Sequence, residues 1–286
     1  MASLKDLRKR IASVKNTQKI TNAMKMVSAA KLRRAEEAVT AARPYSDKMR
    51  EVIGSLAARV SPSAHQLLES RNGKKALLVL ITADRGLCGS FNAGLCRRAE
   101  ALQREKKAQG VELGVICVGR KGHDYFRRRQ VEMPARFINV MNKVEYGLAR
   151  DVGAAATDAF LTGGYDEVYI LYNRFRTAAS QTLTLRKLLP VSPEEPVQRK
   201  EEYLYEPSEE ELLKGILPMY IVVQVFTGIL DSVASELGAR MTAMEAATTN
   251  AEEMIHKLTL KLNRLRQEAI TKELMEIVGG AEALQG

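Results

Sequence analysis

The sequence predicts an α/β protein in which long N- and C-terminal helices pair as an antiparallel coiled coil and a small α/β domain lies between them along the chain. Apolar residues recur at every third or fourth position through residues 1–58 and again from residue 209 onwards. Between these segments, short apolar runs alternate with helical patterns, which is typical of a mostly parallel sheet. The 286 residues, 45% of them apolar, are enough for a sizeable core.

The N-terminal helix, residues 1–58, is predicted from one apolar spacing pattern. Spacings of three and four over more than fifty residues indicate one very long helix or two nearly collinear helices. Pro44 either kinks the helix or begins its second segment. Residues 59–74 form a connection. The apolar positions include Leu4, Leu7, Ile11, Val14, Ile20, Met24, Val27, Ala38, Ala42, Tyr45, Met49, Val52 and Leu56.

The α/β domain is predicted over residues 75–200, because the period of the pattern changes there. Strand and helix patterns alternate, so a small Rossmann-like sheet is expected, with Thr182–Leu188 as an edge strand. Residues 201–208 form a second connection. The strands are Ala76–Thr82, Val111–Val118 and Glu167–Tyr172, and the helices are Asn92–Ala108, Lys121–Arg129 and Val144–Leu161.

The C-terminal helix, residues 209–286, carries a second long apolar stripe. It cannot be stable alone in water with that stripe exposed, so it is expected to wind against the N-terminal helix. Being longer, it should project beyond the N-terminus and need an external partner there. Ile216–Leu230 is apolar but too short to span a bilayer, so we interpret it as part of a buried helix.

Charge is distributed unevenly along the chain. The formal net charge is +10, but the first 34 residues hold ten basic side chains and one acidic side chain, whereas residues 209–286 carry a net −5. The segment Lys25–Arg34 allows three interpretations: a DNA-binding basic region, a face that meets an acidic protein partner, or a solvated helix face.

The residues that could carry chemistry are few. Cys88, Cys96 and Cys117 have no CxxC spacing and indicate reduced thiols, and the three histidines are scattered, so no metal site, catalytic residue or cofactor is predicted. The turn Asp84–Asn92 (DRGLCGSFN) follows a strand and opens a helix, where α/β enzymes bind phosphates. It lacks both GxGxxG and a Gly-Lys-Ser/Thr ending, so a tight structural turn competes with nucleotide binding.

Three motifs resemble the γ subunit of F-type ATP synthases: KNTQKITNAMKMVSAAKLRRA at 15–35, the turn at 84–92, and the run at 239–284 that contains LRQEAIT. The resemblance covers the whole chain in order. It implies a central rotor stalk without a catalytic site. Such a stalk couples proton-driven rotation of the c ring to ATP synthesis or hydrolysis at β-subunit sites. The implied partners are the ring of three α and three β subunits (α₃β₃), the ε subunit and the c ring, with one copy per complex and no nucleic acid.

The same resemblance implies partner-binding residues. Arg266, Gln267 and Thr271 match the family's contact with a β-subunit loop, with Leu265 in place of the family's Ala. The remaining positions are Met24 and Lys25, facing an acidic β-subunit segment; Arg33, on the basic shaft; Arg85, a further candidate for the acidic segment; and Tyr205 with Glu206, matching the foot at the c ring.

The start of the chain suggests a location. Its N-terminus is charged and periodic, without the apolar run of a secretory signal, and it opens directly on the shaft helix. All three cysteines precede residue 118, whereas chloroplast members of the family carry a later redox segment. We therefore expect a bacterial subunit that is peripheral to the cell membrane on its cytoplasmic side.

Overall fold

The computed structural model describes residues 4–71, 73–192 and 208–285. The chain divides into two compact units. The coil unit consists of residues 1–27 and 241–286, and the domain unit consists of residues 28–240.

Two long helices pair in antiparallel fashion in both units, which confirms the predicted fold class. Helix α1 spans Leu4–Arg59 and helix α5 spans Glu209–Gln285. In the coil unit Thr21 contacts Thr248, and in the domain unit Arg43 contacts Asp231, so rising numbers on α1 meet falling numbers on α5. Helix α1 continues through Pro44 as one element, although a proline inside a helix removes one backbone hydrogen bond.

The buried seam of α1 differs from the apolar pattern by one position. Ile20 and Val27 are 61% and 56% exposed, whereas Thr21 and Ser28 are buried. One residue turns a helix by about 100°, so this shift places the apolar pair outside. The Thr21 hydroxyl is tolerated inside because it shares a hydrogen bond of 2.8 Å with the Thr248 hydroxyl. Sequence periodicity therefore assigned the wrong residues to this stretch of the seam.

A five-stranded sheet forms the centre of the domain unit, with the order β3-β2-β1-β4-β5. Only β5 is antiparallel, and it lies at an edge, as the sequence predicted. The two-residue strand β3 was not predicted, because so short a segment carries no periodicity. The strands are β1 (Lys75–Ile81), β2 (Glu112–Val118), β3 (Arg136–Phe137), β4 (Glu167–Phe175) and β5 (Gln181–Leu189), and the remaining helices are α2 (Phe91–Ala108), α3 (Arg120–Arg127), α4 (Tyr146–Leu161) and a 3-10 turn at Pro62–Ala64.

Both faces of the sheet are covered, which explains the unbroken apolar run of β1. Leu77 and Val79 point into the core shared with α1, α4 and α5. Leu78 and Leu80 point into the opposite core, against α2 and α3. Successive side chains of a strand alternate between faces, so a strand buried on both sides is apolar throughout.

Helix α5 crosses the sheet at the point where the strand order reverses, between β1 and β4. Gly228 makes this close approach possible, because a Cβ there would lie 3.1 Å from Ile170 Cδ1 and 3.4 Å from Ile81 Cδ1. Within Glu211–Gly280, an 18-residue stretch is as apolar as a membrane-spanning helix, but 61% of it is buried inside the protein. Packing against the sheet accounts for the apolarity of this helix, including Ile216–Leu230.

Candidate partner-binding surfaces

Lys25 forms an ion pair within the coil unit. Its Nζ lies 2.8 Å from Glu245 Oε1, and the lysine side chain is 33% exposed. Met24, beside it, is half-buried. The lysine charge is therefore partly compensated by α5 and partly presented to solvent.

Two exposed apolar side chains share one side of α1 near this ion pair. Ile20 and Val27 are 61% and 56% exposed, and seven residues at about 100° each bring them to the same side of the helix. The sequence interpretation missed their exposure because it placed both residues in the seam between the helices.

Arg266, Gln267 and Thr271 are exposed on α5, while the preceding Leu265 is half-buried. At about 1.5 Å per residue, Arg266 lies roughly 32 Å along the helix from Glu245. The two groups of predicted shaft residues therefore form separate surfaces on the coil unit.

The last described turns of α5 are apolar and exposed. Every residue from 271 to 280 is exposed to solvent. Large apolar side chains in this position are unfavourable in water and indicate a surface that a partner covers. They are Ile270, Leu274, Met275, Ile277 and Val278.

The turn at 84–92 is organised by the carboxylate of Asp84. Its Oδ1 accepts hydrogen bonds from the backbone N–H groups of Arg120 and Asn139 at 2.9 and 2.8 Å, and its Oδ2 accepts one from Met141 at 2.9 Å. Asn92 adds a further tie, since its Oδ1 accepts from the Ala83 N–H at 2.9 Å. The carboxylate thus joins the turn to the start of α3 and to the segment 139–141, which holds the turn in place.

Arg85 and Leu87 project from that fixed turn. Both are exposed, and Leu87 adopts a left-handed backbone conformation, with φ of 64°. A non-glycine residue in this conformation is strained and persists only where its surroundings impose it. Helix α5 supplies part of that support, because Arg240 Nη2 donates to the Gly86 carbonyl at 3.2 Å. The turn thus presents a cation and an apolar side chain together.

The cavity behind the turn is too small for a nucleotide. It measures about 30 Å³, and α5 contributes Val233, Glu236 and Arg240 to its lining. Arg240 contacts the Glu236 carboxylate directly, yet burial keeps the pKa of Glu236 raised. Ligand pockets of drug-sized molecules are about 300 Å³ or larger. This cavity therefore gives no support to the nucleotide-binding interpretation of the turn.

The remaining predicted residues lie elsewhere. The Arg33 side chain is almost fully exposed in the domain unit and lies 3.6 Å from Glu37, one helical turn away. Tyr205 and Glu206 lie outside the described residues. Within the described ranges, no three His, Cys, Asp or Glu residues form a group that could hold a metal ion.

Comparison with known proteins adds independent evidence. A family model described as ATP synthase matches residues 3–284. The ATP synthase gamma chain of Geobacter metallireducens is 54% identical over 288 residues, and that of Moorella thermoacetica is 48% identical over 285 residues, each match covering the whole of both chains. The chain belongs to the ATP synthase gamma chain family.

Solved structures agree with the gamma chain fold. A chain of the Tetrahymena thermophila mitochondrial ATP synthase central stalk and c-ring structure matches with a TM-score of 0.61 and 28% identity, covering 80% of this chain and 99% of that one. A chain from the Euglena gracilis mitochondrial ATP synthase has a TM-score of 0.74 at 21% identity, covering 98% of this chain and 94% of that one. At this level of identity the match supports the fold alone.

Proposed function

We propose that this gamma chain family member is the central rotor stalk of an H⁺-transporting F1Fo ATP synthase. It would rotate inside the ring of three α and three β subunits and couple proton-driven rotation of the c ring to ATP synthesis or hydrolysis at the β-subunit sites. The full-length match to curated gamma chains carries this proposal. The Tetrahymena structure, described as a central stalk with its c ring, supports the same assignment.

We propose further that the chain has no catalytic site and no cofactor of its own. In doubly wound folds, ligands bind where the strand order reverses. Here α5 lies at that position, between β1 and β4. Binding and chemistry at ATP therefore belong to other subunits, and this chain acts as a mechanical part.

The coil unit is the proposed contact with the α and β subunits. A pair of helices inside a threefold ring is asymmetric, so it presents a different face to each of three equivalent sites. Arg266, Gln267 and Thr271 form one contact surface, and Met24 and Lys25 form a second. The apolar end of α5 suits a ring of apolar side chains around it.

We propose further contacts with other subunits for the domain unit and the segment at 205–206. Arg33 and Arg85 are exposed cations that suit acidic β-subunit side chains. Tyr205 and Glu206 are proposed to meet the c ring, with the ε subunit beside this unit. We propose one copy of the chain per complex, located peripherally on the cytoplasmic side of the cell membrane. Nucleic acid is not among the proposed partners.

Reconstitution with α and β subunits tests this function. A bead attached to the domain unit should turn in one direction when ATP is supplied, and the chain alone should not hydrolyse ATP. Hydrolysis by the isolated chain, or an assembled complex that hydrolyses ATP while the bead never turns, would contradict the proposal. Binding of duplex DNA with site specificity at physiological salt would instead support the DNA-binding interpretation of the basic helix.

A further inference from the structure

Strand β4 extends beyond the strand beside it. Its pairing with β1 ends at Leu80 opposite Leu171, whereas β4 continues to Phe175. Alternate residues of a strand direct their backbone N–H and C=O groups to the same side. Asn173 and Phe175, which follow Leu171 at spacings of two, therefore direct these groups to a side that has no strand partner there. Buried backbone groups need hydrogen-bond partners, so another element must supply them.

Side chains of the two long helices supply those partners. Ser235 Oγ donates to the Asn173 carbonyl at 2.9 Å, and the Asn173 N–H donates to Ser232 Oγ at 3.4 Å. The Phe175 N–H donates to Asp231 Oδ1 at 3.2 Å. All three α5 side chains are buried, with Asp231 only 2% exposed.

Helix α1 joins the same cluster through one arginine. Arg43 Nη2 donates to the Phe175 carbonyl at 2.6 Å and to Asp231 Oδ1 at 2.7 Å. The end of β4 is therefore tied to α1 and α5 by four hydrogen bonds, and one ion pair connects the two helices at the same point. We call this group, formed by Arg43, Asp231, Ser232, Ser235 and the backbone of Asn173 and Phe175, the β4 clamp.

The β4 clamp differs in kind from the apolar packing around it. Hydrophobic contact is non-directional, so it resists separation of two surfaces more than rotation of one over the other. Hydrogen bonds weaken steeply as their angle departs from linear, and a buried carboxylate is unfavourable without its partners. The clamp therefore resists turning of the helix pair against the sheet.

We infer that the β4 clamp is the joint through which torque passes between the paired helices and the α/β domain. This inference rests on the rotor function proposed above. The residues of the β4 clamp are proposed to act as positioning residues within this chain. A second ion pair, Arg59–Glu209 at 3.8 Å, also connects the two helices. It is partly exposed and joins one helix side chain to another, so it serves as the control for the β4 clamp.

The test measures torsional stiffness in the assembled complex of α, β and this chain. A bead is attached to the exposed position 107 through Lys107→Cys, the ring is held on a surface, and the angular variance of the bead is recorded while rotation is stalled. Asp231→Ala removes the Phe175 N–H acceptor and the anchor of Arg43, which affects two of four contacts to β4. We expect the angular variance to rise roughly twofold, because the remaining contacts share the load. Glu209→Gln, the matched control, should leave the variance unchanged.

The outcomes separate this inference from the rotor proposal. If the bead does not turn with ATP in the complex whose clamp is unmodified, the rotor proposal fails. If the bead turns but its angular variance is the same in Asp231→Ala as in the Glu209→Gln control, the clamp inference is overturned. If Asp231→Ala does not fold, Ser232→Ala with Ser235→Ala removes the two contacts to Asn173 without changing charge. That double variant must raise the variance for the inference to stand.

Discussion

Lys25 on α1 and Glu245 on α5 form an ion pair across the coil unit, with Nζ and Oε1 2.8 Å apart. The same lysine is proposed to face an acidic segment of a β subunit. Because both side chains are partly exposed, the pair contributes little to folding stability, about 1 kcal/mol or less. Its charge remains available to a partner that approaches from outside the coil.

Reversal of this charge separates the two roles of Lys25. Lys25→Glu should weaken coupling between ATP hydrolysis and proton pumping, because it repels both Glu245 and an acidic partner. The double variant Lys25→Glu with Glu245→Lys restores the internal pair but not the outward cation. We expect coupling to remain impaired in the double variant, measured as protons pumped per ATP in membrane vesicles. Full recovery would show that Lys25 acts only within the coil unit.

Arg266 and Gln267 should matter for torque rather than for folding. Both side chains are exposed, so Arg266→Ala with Gln267→Ala is expected to change the free energy of unfolding by about 0.5 kcal/mol or less. The torque of the assembled complex, measured from bead rotation against viscous drag, should fall. Lys257→Ala, on the same helix and also exposed, is the control. Loss of the folded chain in the double variant would assign the pair a structural role instead.

Asp84 should contribute strongly to stability through the three backbone groups it binds. Asp84→Ala leaves three N–H groups without their acceptor, and we expect a loss of about 1–3 kcal/mol in the free energy of unfolding. Asp84→Asn keeps the oxygen that serves Arg120 and Asn139 and loses the one that serves Met141, so its effect should be smaller. Denaturant titration of both variants measures the difference. Equal losses would mean that the carboxylate does not act through these separate bonds.

Glu167 makes part of the stability depend on pH. Burial alone would raise the pKa of Glu167, but hydrogen bonds from Lys106, Lys187 and Tyr169 outweigh it and lower the pKa to about 2. A lowered carboxylate pKa stabilises the fold above the ordinary value of 4.5, and this stabilisation is lost as the pH falls from there towards about 2. The difference in free energy of unfolding between the unmodified chain and Glu167→Gln should therefore shrink over that interval.

A surface carboxylate provides the control for the acid titration. Glu69→Gln changes an exposed side chain near the start of the α/β domain, so its difference from the unmodified chain should stay small across the same interval. A Glu167→Gln difference that does not change with pH would contradict the role of the two lysines.

The three cysteines should resist alkylation in the folded chain. Burial raises the pKa of the Cys88 and Cys96 thiols to about 11 and that of Cys117 to about 12. The thiolate is the reactive form, so iodoacetamide near neutral pH should modify them far more slowly than it does in denaturant. Lys107→Cys, on the surface of α2, should react at once and serves as the internal standard. Fast labelling of all three native thiols would show that the domain opens readily.

Local patterns were enough to predict most of the fold. The two long apolar stripes predicted α1 and α5, and the short apolar run at 76–82 predicted a strand of a mostly parallel sheet, which the structure shows as β1. The exposure of Ile20 could not be predicted, because the seam takes Thr21 instead and its hydroxyl finds a partner 227 residues away. That pairing exists only once the helices have met.

The candidate surfaces also include residues that a local motif predicted and residues whose role depends on partners far along the chain. Arg266 and Gln267 were predicted from a motif that lies within one helix, and the structure shows both exposed on α5, while their contact with a partner stays a prediction. The role of Asp84 could not, because its three N–H partners lie 36 to 57 residues further along the chain. The β4 clamp escaped prediction for the same reason, since Arg43 is 188 residues from Asp231.

The position of α5 over the reversal point of the sheet has a thermodynamic consequence. In an enzyme of similar architecture a free molecule occupies that place, and its occupancy rises and falls with its concentration. Here the occupant is tethered to the sheet by the chain itself, so docking loses little translational freedom and no dilution can empty the place. The packing of α5 at this place therefore does not depend on the concentration of a free molecule, which would suit the rotor function proposed above.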